Sequence, residues 1–164
     1  MRKERDFLGE VQLPADALYG IHSQRACENF PGTGHFQPGW LRAMGTVKQA
    51  CYHTYRKFKQ AAQKQYPDKE FPLRWIADDK TAALEQAAQE LARGKHHQAF
   101  IVPAMQGGAG TSINMNVNEI LANRALQLTG HKPGMYGEID PVEQANVFQS
   151  TNDVVPTALK VATM

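Results

Sequence analysis

The 164-residue chain is 42% hydrophobic, enough to bury one sizeable core or one core and the beginning of a second unit. Its formal charge is only +2, with Lys and Arg scattered and no aromatic stacking platform, which argues against a nucleic-acid partner. No run approaches the ~18 apolar residues of a membrane span, no apolar stretch behind Met1–Asp6 makes a signal peptide, and Cys27 and Cys51 fit no metal spacing; a cytoplasmic protein with two reduced cysteines and no membrane contact is expected.

Phe7 to Leu13, followed by Pro14-Ala15-Asp16, predicts one short extended segment and a turn; no other region is strongly β. A short helix is predicted over Ile21 to Asn29, broken by Phe30-Pro31-Gly32-Thr33-Gly34. From Trp40 the apolar residues return at helical spacing. Leu41, Met44, Val47, Cys51, Tyr55 and Phe58 form the stripe, with Lys48, Arg56 and Lys59 outside it, and Tyr66-Pro67 ends the helix. A third helix is predicted from Leu73 to Ala92 with Gly94 as its C-terminal cap, its Glu85 and Glu90 solvated. A fourth covers Ser112 to Leu128 and stops at Gly130.

The turn signals at His131-Lys132-Pro133-Gly134, Gly137 and Asp140-Pro141 make the stretch up to Gln149 a long connection. A fifth helix is predicted to begin with Asp153 as N-cap and Pro156 in the first turn. Met164 falls before that helix reaches a length that is stable alone, so the chain is expected to be the front part of a longer polypeptide.

Two polar segments carry the candidate chemistry, Gly107 to Glu119 and Gln149 to Asp153. Both place hydroxyls and amides at a helix start, where unsatisfied N–H groups and the positive dipole end suit carboxylates; two such seats would suit a dicarboxylic acid. The Gly107-Gly108-Ala109-Gly110 run lets backbone approach a ligand, and Thr111 and Ser112 add hydroxyls. It lacks the lysine of a phosphate loop and the βαβ setting of a dinucleotide turn. On spacing alone it reads equally as a tight turn with a Ser or Thr cap. Asn114, Asn116 and Asn118 occupy different helix faces, so at least one is expected inside and hydrogen-bonded. Ser150, Thr151 and Asn152 have no neighbouring base and read as ligand contacts rather than nucleophiles. His22, His35, His53, His96, His97 and His131 read as surface or packing residues, and adjacent His96-His97 lacks metal spacing. Arg25 is placed to pair with a carboxylate.

The stretches Leu18–Pro31 (LYGIHSQRACENFP), Gln106–Ala125 (QGGAGTSINMNVNEILANRA) and Gln149–Ala158 (QSTNDVVPTA) resemble the aspartase/fumarase superfamily, in that family's order along essentially the whole chain. The resemblance implies a mainly α fold: an N-terminal helical domain with a short extended segment over residues 1–148, and residues 149–164 opening a long helix of a central bundle. In that family the bundle assembles a homotetramer, and loops from three subunits meet at each site. By match of motif, Thr111 and Asn152 resemble residues that contact the substrate amino group, Ser150 and Thr151 those that hold the β-carboxylate, and Asn114 an asparagine beside the site. No cofactor and no metal is implied.

The implied reaction removes a proton from Cβ of L-aspartate and expels ammonia through an aci-carboxylate, leaving fumarate; hydroxyl donors and helix N-termini suit the charge that develops. The family's catalytic serine lies in a loop of pattern Gly-Ser-Ser-x-Met-Pro-x-Lys-x-Asn, which these residues do not contain, so the chain by itself is expected to be inactive. At Asp140 to Asn146 only Pro141 and Asn146 match the family's His-Pro-Asn-Asp-His-Val-Asn, so the secondary anion site of fumarases is not expected. Ala109 and the Ser150-Thr151 pair favour ammonia elimination over hydration, although exchanges of this size discriminate by only ~1–3 kcal/mol. The alternatives are a fumarate hydratase and a non-enzymatic dicarboxylate-binding or assembly domain.

Overall fold

The computed structural model describes residues 1–30, 32, 34–71, 74–106 and 108–164. Two short strands, β1 (Arg2–Asp6) and β2 (Gly9–Leu13), pair antiparallel with Arg2 opposite Leu13 and Asp6 opposite Gly9. The expected extended segment therefore needs correction. Phe7 and Leu8 form the exposed hairpin tip, and the charged N-terminal run makes the first strand. Of its charges, Arg2 and Glu4 point inward to waiting partners while Lys3 and Arg5 face out: the Arg2 guanidinium donates to the carbonyls of Ala17 at 2.6 Å and Tyr19 at 2.7 Å, fixing the turn after β2. Buried Glu4 accepts from the Ile21 amide at 2.8 Å and the Tyr136 hydroxyl at 3.1 Å.

Among the described residues five α-helices follow: α1 (Ile21–Asn29), α2 (Pro38–Gln65), α3 (Asp78–Ala92), α4 (Thr111–Leu128) and α5 (Thr151–Thr163). Pro38 opens α2, where a missing N–H costs nothing. The predicted start of α3 at Leu73 lies outside the described residues; Arg74 to Ala77 are not helical. The Ile76 amide is held at 2.7 Å by the Tyr55 hydroxyl, and its carbonyl at 2.7 Å by Lys59 Nζ, which keeps that segment extended against α2. Helices α2 and α3 meet backbone to backbone at Gly45, where a Cβ would stand 2.4 Å from the Ala92 nitrogen.

The buried line of α2 runs through Leu41, Met44, Lys48, Tyr52, Tyr55, Lys59 and Ala62 at spacings of three and four. Lys48 and Lys59 thus lie inside the stripe from which sequence reading excluded them, while Phe58 is exposed. Lys59 reaches Asp78 at 2.7 Å. The solvated reading of the α3 glutamates is also corrected. Glu90 is bridged bidentately by Arg124 at 2.7 and 3.0 Å and contacts His96 at 2.7 Å; Glu85 pairs with Arg56 at 3.2 Å.

Helix α4 is the centre of the fold, with Val117, Leu121, Ala122, Ala125 and Leu126 sealed in the main core beside α2 and α3. Asn114, Asn116 and Asn118 are all buried, where at least one was expected. Asn116 accepts the Ile101 amide at 3.2 Å and donates to the Ala99 carbonyl at 3.1 Å, pinning the loop ahead of α4. Val154 and Ala158 of α5 join the same core, against α2 and α4.

Candidate active site

The starts of α4 and α5 abut. A Cβ on Gly110 would lie 3.0 Å from Val155 Cγ1, so glycine there permits the approach. The turn into α4 runs left-handed through Gly108 (φ 79°), Ala109 (φ 45°) and Gly110 (φ 86°); Gly107 lies outside the described residues. Gly108 and Gly110 carbonyls accept the Thr111 and Asn114 amides at 3.0 Å each, and no side chain caps this helix. Thr111 is exposed at its first position.

Helix α5 starts differently from expectation. Ser150, not Asp153, is the N-cap: its hydroxyl accepts the Asn152 amide at 3.2 Å, while Asp153 reaches back to the Ser150 amide at 2.9 Å. This reciprocal box satisfies two orphan donors at once, so serine displaces aspartate from the cap. Pro156 accordingly falls inside the helix, beyond the first turn, where it removes a helical hydrogen bond to the Asn152 carbonyl. Two consecutive non-glycine residues, Val147 (φ 41°) and Phe148 (φ 58°), bend the chain into this start in the left-handed region, at a cost of about 1–3 kcal/mol each. Buried Val147 and the Asn146 amide, which donates to the Gln149 carbonyl, hold the bend.

Asn114 links the two starts. Its Nδ2 lies 3.4 Å from Thr151 Oγ1 and 3.1 Å from Asn146 Oδ1. The same Asn146 oxygen receives Asn118 Nδ2 at 3.1 Å and Lys48 Nζ at 3.0 Å. Of the five residues singled out from sequence, Asn114 and Thr151 are in contact, and Ser150 and Asn152 stand exposed beside Thr151. No hydrogen bond among the described residues ties the Thr111 side chain to α5. The Ser150 hydroxyl spends a lone pair on its cap, which leaves its proton free to donate.

Sequence reading missed Lys48, and it did not foresee that the Gln149 amide touches Cys51 Sγ. Only Lys48 left a usable signal, its i, i+4 spacing from Met44 and Tyr52. Both cysteines are free. No group of three His, Cys, Asp or Glu among the described residues could hold a metal ion.

A carboxylate at a helix start is realised within the fold itself. Glu119, fully buried, accepts the amides of Gly20, the N-cap of α1, and of His22 and Ser23 within it at 2.9, 2.9 and 3.1 Å, together with the Ser23 hydroxyl. Burial pushes its carboxyl up, and the Ser23 hydroxyl and the Gly20 and His22 amides pull it back. Arg25 pairs with Asp6 at 2.7 Å, a structural bridge between α1 and the hairpin.

A mainly helical fold whose central helix opens on a glycine turn beside a second capped helix matches the architecture that the motifs implied. Residues 9–164 match the family described as lyase, and the chain belongs to that family, the aspartase/fumarase superfamily. It is 43% identical over 164 residues to aspartate ammonia-lyase of Bacillus subtilis (strain 168), covering 99% of this chain and 31% of that one. It is 41% identical over 164 residues to fumarate hydratase class II of Halobacterium salinarum, covering 99% of this chain and 32% of that one. The crystal structure of native fumarate lyase:delta crystallin from Brucella melitensis superposes with a TM-score of 0.85 at 38% identity, over 99% of this chain and 34% of that one. The chain spans about a third of the length of the curated relatives it matches.

Proposed function

We propose that the chain is the N-terminal part of a lyase that eliminates ammonia from L-aspartate to give fumarate. It supplies substrate-binding hydroxyls and amides, and the base comes from elsewhere in the complete protein. The observation that carries this reading is the junction of two helix starts through Asn114 and Thr151, with the Ser150 and Asn152 side chains open beside it. Thr151 and Ser150 offer donors to one carboxylate at the positive end of α5, and Thr111 and Asn152 offer a hydroxyl and an amide to the amino group. The identity to the Bacillus subtilis aspartate ammonia-lyase over the whole chain supports the same substrate.

Residues 1–148 would then form the N-terminal domain and 149–164 the opening of a central helical bundle. Two hollows of about 470 and 520 Å³ flank α5, one lined by Cys51, Tyr55 and Val147, the other by Trp40, Ile113 and Leu159. Apolar surface of this kind, with Leu159 and Val161 exposed, supports further helices and a homotetramer as its cover. A cytoplasmic setting is part of the same proposal; separately, no described helix is long and apolar enough to cross a membrane.

Fumarate hydration is the second reading, favoured by the Halobacterium salinarum relative. The two separate by supplying the complete protein with L-aspartate or L-malate and following fumarate and ammonia. Ammonia from aspartate supports the lyase; turnover of malate alone moves the assignment to the hydratase.

A further inference from the structure

Behind the hydroxyls at the α5 start lies an amine without an anionic partner. Lys48 is fully buried in the middle of α2, and no Asp or Glu among the described residues pairs with it. The groups that act on it are the Cys51 thiol of α2 and Asn146 of the connection, and the Asn114 and Asn118 amides of α4 meet at the same Asn146 oxygen; no charged group of α3 or α5 is among them. From its Nζ a chain of contacts runs to Asn146 Oδ1 at 3.0 Å, on to Asn114 Nδ2 at 3.1 Å, and to Thr151 Oγ1 at 3.4 Å. Asn114 Oδ1 and Asn118 Oδ1 are buried without a partner among the described residues, so the network is not saturated by the protein's own groups.

An ammonium sealed away from water with no counter-ion is unfavourable, and burial pushes Lys48 down to about 7. Methionine at this position would fill similar space without that penalty. The arrangement becomes favourable when a counter-ion arrives from outside.

We propose that Lys48 is a positioning residue of the dicarboxylate seat: through Asn146 and Asn114 it orients the Thr151 hydroxyl, and it takes up a proton to place a positive charge behind the seat when a dianion binds. The proposal rests on the dicarboxylate reading above. A dianion held over this amine raises its proton affinity about tenfold to a hundredfold by Coulomb attraction at intermediate effective dielectric. Below about pH 7 the amine is already charged, so binding needs no proton. Above it, binding draws one, and affinity falls as pH rises until the bound form also loses its proton.

Calorimetric titration of the complete protein with succinate, a dianion that cannot react, tests this in two buffers of different ionisation heat. Wild type is expected to take up almost no proton at about pH 6 and most of one at about pH 8, with affinity falling about tenfold between them. Lys48→Met is expected to bind about tenfold more weakly at about pH 6 and to take up no proton at either pH. Lys48→Gln serves the same comparison should the methionine variant not fold. Wild type that binds succinate without proton uptake at about pH 8, or a lysine variant that keeps both affinity and uptake, overturns the proposal. Wild type that binds no dicarboxylate overturns the functional reading itself, and this proposal falls with it.

Discussion

The Glu119 carboxylate and the Gly20 amide, 99 residues apart in sequence, are joined at 2.9 Å inside the protein. A Cβ on Gly20 would stand 2.4 Å from the Tyr136 hydroxyl and 2.6 Å from Glu119 Oε1, so glycine is required where central helix, hairpin and connection converge. Gly20→Ala is expected to destabilise the protein by about 1–3 kcal/mol, read as a lower urea midpoint at unchanged slope. A midpoint equal to wild type would show that Tyr136 and Glu119 withdraw freely.

The Glu90–Arg124 bridge makes stability depend on acid. Arg124 first, then His96, holds the Glu90 carboxyl down to about 2 against burial. Because the folded value is depressed, the contribution is fully present above the ordinary glutamate range near 4.5 and is lost as pH falls toward 2. Its edge faces solvent, so about 1–2 kcal/mol is expected rather than the full linkage energy. Acid titration of stability in wild type and Glu90→Gln should differ across that window and run parallel above it.

Lys48 acts in the opposite direction on the basic side. Its folded value of about 7 lies below the ordinary 10.5, so between those values the unfolded chain binds more protons and stability rises with pH. The penalty is complete below about pH 7. Lys48→Met is expected to remove the slope and to raise stability near neutrality by roughly 1–4 kcal/mol. Urea unfolding at a series of pH values gives both slopes; equal slopes would place the amine in contact with solvent.

Ser150 carries two duties that a pair of substitutions separates. Ser150→Ala loses the cap and is expected to cost about 0.5–2 kcal/mol of stability. Ser150→Asp keeps a capping oxygen and most of that stability but sets a negative charge against the incoming carboxylate. Succinate affinity of the complete protein is expected to fall in both variants, and more steeply in the aspartate one.

The helices were legible where local punctuation decides them. α1 spans the predicted Ile21–Asn29, and α2 and α4 begin within two residues of expectation, because Pro38, Gly110 and Gly130 act on their own neighbours. β1 was not legible, because Arg2 and Glu4 are held inside by the Tyr19 carbonyl, the Ile21 amide and the Tyr136 hydroxyl, partners that sequence order does not bring near. The α5 cap was misassigned for a narrower reason. Ser150 and Asp153 are both good caps three residues apart, and their reciprocal box decides between them. At the site, the hydroxyls of exposed Ser150 and half-buried Thr151 were readable as chemistry, whereas the amine beneath them was not. Lys48 reads as surface charge until the helix face is fixed by Met44 and Tyr52 on either side.

The most direct measurement follows fumarate and ammonia formed from L-aspartate by the complete protein, by Thr151→Val and Asn152→Ala in the same background, and by the 164-residue chain alone. Expected are turnover by the complete protein, a loss on the order of a hundredfold in kcat/KM for each variant at wild-type stability, and none from the short chain. Complete protein that forms no ammonia from aspartate, or variants that turn over like wild type, would contradict the account.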